Sequence, residues 1–304
     1  MIQLNQLATE QRNPASTDID SLSTLEIMQL MNKEDIRPVR AVGEILPQMA
    51  KAVDLIAEKL SAGGHLIYVG AGTSGRLGVL DASECPPTFG VSPSLVRGLI
   101  AGGREAMFRA QEGAEDSSAL GEEDLRGSHV TASDVIVGIS ASGRTPYVVG
   151  ALTYARTIGA ATISVACSPD SPIAALADIA LTAQPGPEII TGSTRMKAGT
   201  TQKLILNMLS TGAMIRLGKV YGNLMVDVQE TNEKLVARAH RIVMEATDCS
   251  YEESDAALNE SEGSAKLAIF LILTGLPTAE ARLRLEDAHG HLGLAIKQFN
   301  TPTV

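Results

Sequence analysis

The chain has 304 residues, 44% of them hydrophobic, and a formal net charge of −10 at pH 7. This length favours one large domain with additions, and the negative charge offers no long-range attraction for nucleic acid or an anionic membrane. Aromatic residues make up 3% of the chain, with no tryptophan, which argues against base-stacking platforms, so we expect neither a nucleic-acid nor a membrane partner.

The N-terminal part is predicted to be a polar arm followed by helices. Residues 1–22 are polar and are expected to form an extended arm, and Thr24 is a candidate N-cap for a helix over residues 25–31. Apolar residues recur at spacings of three and four over residues 38–60, which predicts one long amphipathic helix. We assign residues 1–55 to this N-terminal region.

The middle of the chain alternates apolar strands with helices. Strands are predicted at residues 65–69, 95–101, 134–139, 162–166 and 179–181, and helices at residues 75–83, 104–111, 146–158, 172–176 and 196–217. Most of these strands are apolar throughout, which suits a parallel sheet covered on both faces. The predicted fold class is therefore α/β, with a doubly wound, mainly parallel five-stranded sheet in a domain over residues 56–220.

The C-terminal part reads as helical. No strand pattern recurs after about Gly222, and helices are predicted at residues 231–247, 255–259, 264–273, 278–287 and 292–299. We expect a small helical C-terminal domain over residues 221–304.

Three loops rich in glycine and hydroxyl side chains accompany the predicted sheet. In chain order they are Gly70-Ala71-Gly72-Thr73-Ser74-Gly75, Ser140-Ala141-Ser142-Gly143-Arg144-Thr145-Pro146 and Thr191-Gly192-Ser193-Thr194-Arg195-Met196-Lys197-Ala198-Gly199-Thr200-Thr201, the last preceded by Glu188. We call them the first, second and third loops. Each alone is compatible with an ordinary turn that caps a helix. Together, at the edge of a sheet where ligands bind, they favour a phosphate site.

The first loop also matches the GxGxxG pattern of dinucleotide-binding proteins. That pattern calls for an acidic residue about 20 residues further on, to bind the ribose. Residues 86–103 contain no acidic residue. We therefore do not expect a nicotinamide cofactor.

The three loops, in this order, resemble those of the sugar isomerase (SIS) family of phosphosugar-binding proteins. More specifically, the chain resembles the N-acetylmuramic acid 6-phosphate etherases in residues 69–89, in the second and third loops, in Gln111-Glu112-Gly113-Ala114-Glu115-Asp116 and in Thr9-Glu10-Gln11-Arg12-Asn13-Pro14. This resemblance covers essentially the whole chain. It implies release of D-lactate from N-acetylmuramic acid 6-phosphate, leaving N-acetylglucosamine 6-phosphate, in the recycling of bacterial cell-wall sugar and with no metal or redox cofactor.

The implied reaction needs one acid and one base, and the resemblance assigns Glu84 as the acid and Glu115 as the base. A predicted helix end just before Pro86 supports Glu84, since the partial negative charge of a helix C-terminus favours a protonated carboxyl. From the residues alone, Glu84 is also compatible with an exposed helix end and Glu115 with a helix first turn. The division of acid and base between the two stays open.

The loops are predicted to bind the sugar and its 6-phosphate. Arg195 and Lys197 are either local charges for the phosphate or ordinary surface cations. The predicted phosphate ligands are Ser74, Ser140, Ser142 and Thr145, followed by Thr73 and Ser193. The full predicted substrate-binding set is Gly72, Thr73, Ser74, Ser140, Ser142, Gly143, Thr145, Glu188, Ser193 and Lys197.

Two other functions share these loops. An aldose–ketose sugar-phosphate isomerase uses the same C2 proton chemistry without losing lactate, and a phosphosugar-sensing regulatory protein needs no carboxylate pair. The presence of both Glu84 and Glu115 favours the etherase. His240 either opens the sugar ring or is structural. Because domains of the SIS family usually pair, we expect a homodimer with composite active sites.

The cysteines and the N-terminus bear on the cellular compartment. Cys85, Cys167 and Cys249 are widely spaced and form no CxxC pair, which favours buried thiols in a reducing cytosol over disulfides or a metal site. The first residues lack a basic region followed by an apolar run, so no signal peptide is expected. We expect a cytoplasmic protein.

Overall fold

The structure, a computed structural model, describes residues 8–111, 113–227 and 233–301. These residues divide into two compact units. The first contains the chain up to Ser83 together with Pro93–Ser210, and the second contains Glu84–Ser92 together with the residues from Thr211 onwards.

The first unit is built on a parallel five-stranded sheet with the strand order β2-β1-β3-β4-β5. The strands are β1 (Leu66–Gly70), β2 (Val96–Ile100), β3 (Val135–Ile139), β4 (Ala161–Ala166) and β5 (Ile179–Thr182). β1 and β3 are buried along their whole length, as their uniformly apolar sequences predict. The predicted doubly wound α/β class is confirmed, and its strand order reverses between β1 and β3, where ligands bind in such folds.

Helices cover this sheet and precede it. They are α1 (Thr24–Glu34), α2 (Ile36–Gly43), α3 (Leu46–Ser61), α4 (Gly72–Phe89), α5 (Ser118–Gly127), α6 (Pro146–Thr157), α7 (Pro172–Ala175) and α8 (Lys197–Arg216). α4 and α8 begin in the first unit and end in the second. No helix among the described residues is both long and apolar enough to cross a membrane.

The N-terminal region differs from its prediction in three places. The expected extended arm instead contains short 3-10 turns, Ala8–Glu10, Pro14–Ser16 and Ile19–Ser21. Ser23, rather than Thr24, caps α1, because its hydroxyl and Glu26 form a reciprocal capping box. The single helix expected over residues 38–60 is two helices, because Pro47 lacks the N–H group that a continuous helix needs and fits only a first turn.

The predicted end of α4 before Pro86 is wrong. The helix continues through Pro86 and Pro87 to Phe89, and Gly90 N–H donates to the Pro86 carbonyl at 2.9 Å. A proline inside a helix costs about 3 kcal/mol or more, but Cys85 and Phe89 are buried, so packing of this last segment opposes that cost. Glu84 therefore lies outside the last turn of α4, and the helix-dipole argument for a protonated Glu84 does not hold.

Two further predictions were wrong, one in each unit. The helix expected over residues 104–111 is only a 3-10 turn, Arg104–Met107. After Gly222, where no strand was expected, Leu224–Met225 (β7) pairs antiparallel with Val220–Tyr221 (β6) in a short hairpin. Two-residue strands are too short to leave a periodic apolar pattern in the sequence.

The second unit is mainly helical, as predicted. Its helices are the end of α8 with α9 (Glu233–Thr247), α10 (Tyr251–Glu260), α11 (Ala265–Thr274), α12 (Thr278–Asp287) and α13 (Leu292–Asn300). The start predicted for α9 at Thr231 lies outside the described residues. Its core forms around Leu267, Phe270 and Leu271 of α11, a helix that is apolar and buried along most of its length.

Candidate active site

A cavity of about 440 Å³ lies in the first unit, beside the carboxyl ends of β1 and β3. It is lined by Thr9, Glu10, Ala71, Gly72, Thr73, Ser74, Glu115, Asp116, Ser140, Ala141, Ser142, Arg144, Thr145, Pro146 and Thr194. The first and second loops thus meet at the point where the strand order reverses. Seven of the predicted site residues lie here, namely Gly72, Thr73, Ser74, Glu115, Ser140, Ser142 and Thr145.

The second loop forms a cup of hydroxyl groups at the start of α6. Ser140 Oγ lies 2.8 Å from Thr145 Oγ1 and 3.4 Å from Ser142 Oγ, and it accepts the Gly143 N–H at 3.0 Å. Gly143 has φ +67°, and a Cβ there would lie 2.3 Å from Ser171 Cβ, so only glycine allows this turn. The cup presents several donors to one point in the cavity.

The N-terminus of α6 adds positive charge behind this cup. Thr145 is the N-cap residue, but its side chain makes no capping hydrogen bond, so the first amides of α6 have no side-chain partner there. Free amides and the helix dipole attract an anion. Among the described residues that line the cavity, Arg144 is the only cation, and it is exposed.

The first loop lies at the start of α4 and contacts α8. The buried Ser74 hydroxyl donates to Gln202 Oε1 at 3.0 Å, and Thr73 approaches Gly199, where a Cβ would lie 3.4 Å from the threonine methyl. Gln202 is buried and was not predicted as a site residue, since a lone glutamine within a helix gives no signal in the sequence. The hydrogen bond to Gln202 fixes the orientation of the Ser74 hydroxyl.

Glu115 reaches the cavity from a 3-10 turn, Ala114–Asp116, that packs against α6. Gly113 precedes it at φ +78°. Glu115 is exposed, and it also lines a smaller adjoining pocket of about 100 Å³ together with Arg76 and Gln111. A carboxylate with open solvent on one side and the hydroxyl cup on the other can exchange a proton with a bound molecule.

Two charged residues at the third loop, Glu188 and Lys197, do not line the cavity. Glu188 is buried and accepts the amides of Lys197 and Ala198, each at 2.9 Å, and so caps α8. Burial raises the pKa of the Glu188 carboxyl, and the two amides counteract only part of that rise. Glu188, Lys197, Gly143 and Ser193 are absent from the residues that line the cavity, where the third loop contributes Thr194 instead.

Lys197 belongs to a buried cluster that holds the N-terminal arm. Lys197 Nζ donates to Glu34 Oε2 at 2.5 Å, and Asn13 Nδ2 donates to the same oxygen at 2.7 Å. Ser16 Oγ donates to the Ile189 carbonyl at 2.7 Å. We call Asn13, Ser16, Glu34 and Lys197 the arm anchor.

Within the arm anchor, the positive charge of Lys197 balances the negative charge of Glu34. Burial raises the pKa of Glu34, but the hydrogen bonds from Lys197 and Asn13 and the charge of Arg37, 3.1 Å away, outweigh burial and lower it overall. A buried lysine with a carboxylate partner is stable as an ion pair, whereas either charge alone is costly. Lys197 is thus a structural cation in this structure.

Glu84 belongs to the second unit, where it is exposed on α4. Its assignment as an acid stays a prediction from the sequence. His240, also in the second unit, is buried on α9, stacks on Tyr251 at 4.6 Å between ring centres and contacts Ser254. These contacts account for His240 as a structural residue.

Several cavity residues were not among the predicted site residues. The polar and charged ones are Thr9, Glu10, Asp116, Arg144 and Thr194. Thr9 and Glu10 lie in the polar arm, about 60 residues before the first loop, so no local pattern links them to it. Arg144 and Thr194 sit inside the predicted loops, beside the chosen hydroxyls.

Comparison with known proteins identifies both the domain and the relatives of the chain. Residues 48–156 match the family described as the glucokinase regulatory protein N-terminal SIS domain, and residues 117–212 match the SIS domain. The chain is 59% identical over 295 residues to N-acetylmuramic acid 6-phosphate etherase 2 of Vibrio cholerae, covering 97% of this chain and 96% of that one. It is 55% identical to N-acetylmuramic acid 6-phosphate etherase of Clostridium beijerinckii, covering 98% of each.

Among solved structures, the chain resembles a Bacteroides fragilis protein described as a phosphosugar isomerase involved in capsule formation. The TM-score is 0.50 at 22% identity, and the match covers 64% of this chain and 91% of that one. At this level of identity the likeness concerns the fold alone.

Proposed function

Because the chain belongs to the N-acetylmuramic acid 6-phosphate etherase family, we propose that it cleaves the D-lactyl ether of N-acetylmuramic acid 6-phosphate. The products are D-lactate and N-acetylglucosamine 6-phosphate, as in the recycling of cell-wall sugar. The observation that carries this proposal is one cavity with a hydroxyl cup at a helix N-terminus and the carboxylate of Glu115. The cup suits a phosphate, and the carboxylate suits removal of a proton from carbon.

The sugar 6-phosphate is proposed to bind in the second loop. Ser140, Ser142 and Thr145 supply hydroxyls, the start of α6 supplies amides, and Arg144 supplies local positive charge. Ser74 and Thr73 of the first loop bind the sugar beside it. Gly72 lets the backbone approach the ligand, whereas Gly143 acts indirectly, by allowing the turn of the second loop. Glu188 and Lys197 also act indirectly, by holding the third loop in place.

The reaction proceeds by elimination and then addition. In the open-chain sugar the aldehyde acidifies the C2 proton, Glu115 removes it, and the C3–oxygen bond breaks as the departing lactate oxygen gains a proton. Water then adds back, with a proton to C2 and hydroxide to C3. We assign the acid to Glu84 on the sequence resemblance, and each such group typically contributes about 10²–10⁴-fold to the rate.

We also propose that the protein acts as a homodimer with composite active sites. Large apolar side chains are exposed on the helices that precede the sheet: Leu25, Met28, Ile36, Val39 and Leu46 are each between 49% and 67% exposed. Apolar residues at spacings of three on α1 and α2 suit a second copy of the chain. Sedimentation should give twice the chain mass, and Leu25→Glu with Val39→Glu should give the monomer.

A cytoplasmic location is proposed as well. Cys167 and Cys249 are free thiols, and burial raises the pKa of Cys167 to about 12, which keeps it protonated and unreactive. Thiols outside disulfides suit a reducing compartment.

One assay separates the etherase from the two alternatives. The protein is mixed with N-acetylmuramic acid 6-phosphate in deuterium oxide, and the products are analysed. Release of D-lactate with deuterium at C2 of the sugar supports the proposal. An isomerase gives a ketose phosphate without lactate, and a sensor binds the sugar without releasing lactate, and either result would contradict it.

Variants of the two glutamates test their roles. Glu115→Gln and Glu84→Gln should each fold normally and release lactate at least about 100-fold more slowly. Glu84→Gln should still exchange the C2 proton with deuterium, because the base is intact, whereas Glu115→Gln should not. Glu123→Gln, exposed on α5, is the matched control and should be unaffected. Wild-type turnover by either variant would contradict the catalytic role proposed for that residue.

A further inference from the structure

We propose that Thr9 and Glu10 of the N-terminal arm bind the uncharged polar groups of the sugar and so help to select the sugar ring rather than its phosphate. This inference rests on the proposed function, because it takes a phosphosugar as the ligand of the cavity. It assigns a binding role to an arm that lies far from the three loops in the sequence.

The hydroxyl of Thr9 is the first observation. Thr9 lines the cavity and is only 5% exposed, and its Oγ1 has no hydrogen-bond partner among the described residues. A buried hydroxyl without a partner costs free energy comparable to a lost hydrogen bond, so such groups are rare in folded proteins. A ligand that hydrogen-bonds to Thr9 would remove that cost.

The carboxylate of Glu10 is the second observation, and its charge limits which chemical groups of the ligand can bind beside it. Its carboxylate lies against the third loop, where a Cβ at Gly192 would come within 2.9 Å of Glu10 Oε2. Glu10, Glu115 and Asp116 give the cavity three carboxylates against one cation, Arg144. A carboxylate repels the phosphate and the lactyl group of the substrate but accepts hydrogen bonds from a hydroxyl or an amide N–H.

The arm anchor explains how a terminal segment can bind with precision. Asn13 and Ser16 follow Glu10 by only a few residues and are tied to Glu34 and to the Ile189 carbonyl. Asn13 Nδ2 also reaches the Pro187 carbonyl at 3.3 Å. Thr9 and Glu10 are therefore attached to the same segment that carries the third loop, which reduces the entropy lost when a ligand binds.

The test compares two probes on four variants by titration calorimetry. N-acetylglucosamine 6-phosphate carries the sugar, and inorganic phosphate does not. Thr9→Val removes the hydroxyl at nearly constant size, Thr9→Ser retains it, and Glu10→Gln removes the charge. Thr17→Val, an exposed position in the same arm, is the control, and melting curves check that each variant folds.

The expected result is selective. Thr9→Val should weaken the sugar phosphate about tenfold and leave inorganic phosphate unchanged. Glu10→Gln removes a charge that repels phosphate, so it should lower the affinity for the sugar phosphate relative to that for inorganic phosphate about tenfold, while Thr9→Ser and Thr17→Val stay within about twofold of wild type. Thr9→Val that binds the sugar phosphate like wild type, or that loses both probes equally, would overturn this inference alone. If wild type bound inorganic phosphate as well as the sugar phosphate, both the inference and the proposed function would fail. Should Thr9→Val not fold, Glu10→Gln decides the question, and a wild-type ratio of its affinities for the two probes would overturn the inference.

Discussion

The second loop, residues 140–146, and the third loop, residues 191–201, contain the same kinds of side chain but use them differently. In the second loop the hydroxyls of Ser140, Ser142 and Thr145 face the cavity. In the third loop Lys197 turns into the protein to meet Glu34, and Glu188 caps the helix that follows. One loop presents polar groups to a ligand, and the other uses them to hold the chain together.

The difference shows that the charge of its side chains, more than the number of its hydroxyls, decides whether a loop presents its polar groups to a ligand or to the protein interior. A hydroxyl can remain at a cavity wall with neighbouring hydroxyls as partners, as Ser140 does. A lysine beside a buried carboxylate is stabilised more by an ion pair with that carboxylate than by a place at the wall of a ligand cavity. Among the described residues that line the cavity, the cation is Arg144, which is exposed.

The largest expected effect is on stability and comes from the third loop. Lys197→Met leaves Glu34 buried with only Asn13 and the half-exposed Arg37 as partners, so the free energy of unfolding should fall by about 3 kcal/mol. Urea titration followed by circular dichroism measures this. Arg195→Met, exposed in the same loop, should change it by less than about 0.5 kcal/mol. Equal effects of the two variants would contradict the anchoring role of Lys197.

The next effect is on binding and comes from the second loop. Ser140→Ala removes the hydroxyl shared by Thr145, Ser142 and the Gly143 amide, and it should lower kcat/KM about tenfold or more, mainly by raising KM. Steady-state kinetics of lactate release measures it. Ser61→Ala, exposed and distant in sequence, should match wild type. If Ser140→Ala lowered stability but not kcat/KM, the loop would be structural.

A smaller effect is expected on the pH dependence of folding stability, and it tests the role of the arm anchor. The pKa of Glu34 is lowered below its ordinary value of 4.5, so the folded state favours its ionised form. Its contribution to stability is present above pH 4.5 and is lost as pH falls through the lower, folded-state value. Glu34→Gln should therefore flatten the loss of stability in acid. An unchanged acid profile would show that Glu34 is not held by the charges around it.

The smallest effect is expected for Ser193→Ala. Its side chain lies in the third loop but does not line the cavity, where Thr194 stands instead. Affinity for N-acetylglucosamine 6-phosphate should stay within about twofold of wild type, whereas Thr194→Val should weaken it more. A larger loss of affinity for Ser193→Ala than for Thr194→Val would instead support the substrate-binding role predicted for Ser193 from the sequence.

The sheet and its loops could be predicted because their signals are local. Mostly apolar strands alternate with helices along the chain, hydroxyl-rich loops follow two of these strands, and the strand order then brings the first two loops together. The end of α4 could not be predicted, because the burial of Cys85 and Phe89 depends on packing rather than on the local preference set by Pro86. The places of Lys197 and Thr9 depend on contacts across more than 100 residues, which no local pattern encodes.

The most direct test of the central claim follows the oxygen of water into the products. The wild-type protein is given N-acetylmuramic acid 6-phosphate in water enriched in heavy oxygen, and both products are analysed by mass spectrometry. Elimination followed by addition places the heavy oxygen on C3 of N-acetylglucosamine 6-phosphate and leaves D-lactate unlabelled. Heavy oxygen in the lactate, or no release of lactate at all, would contradict the account.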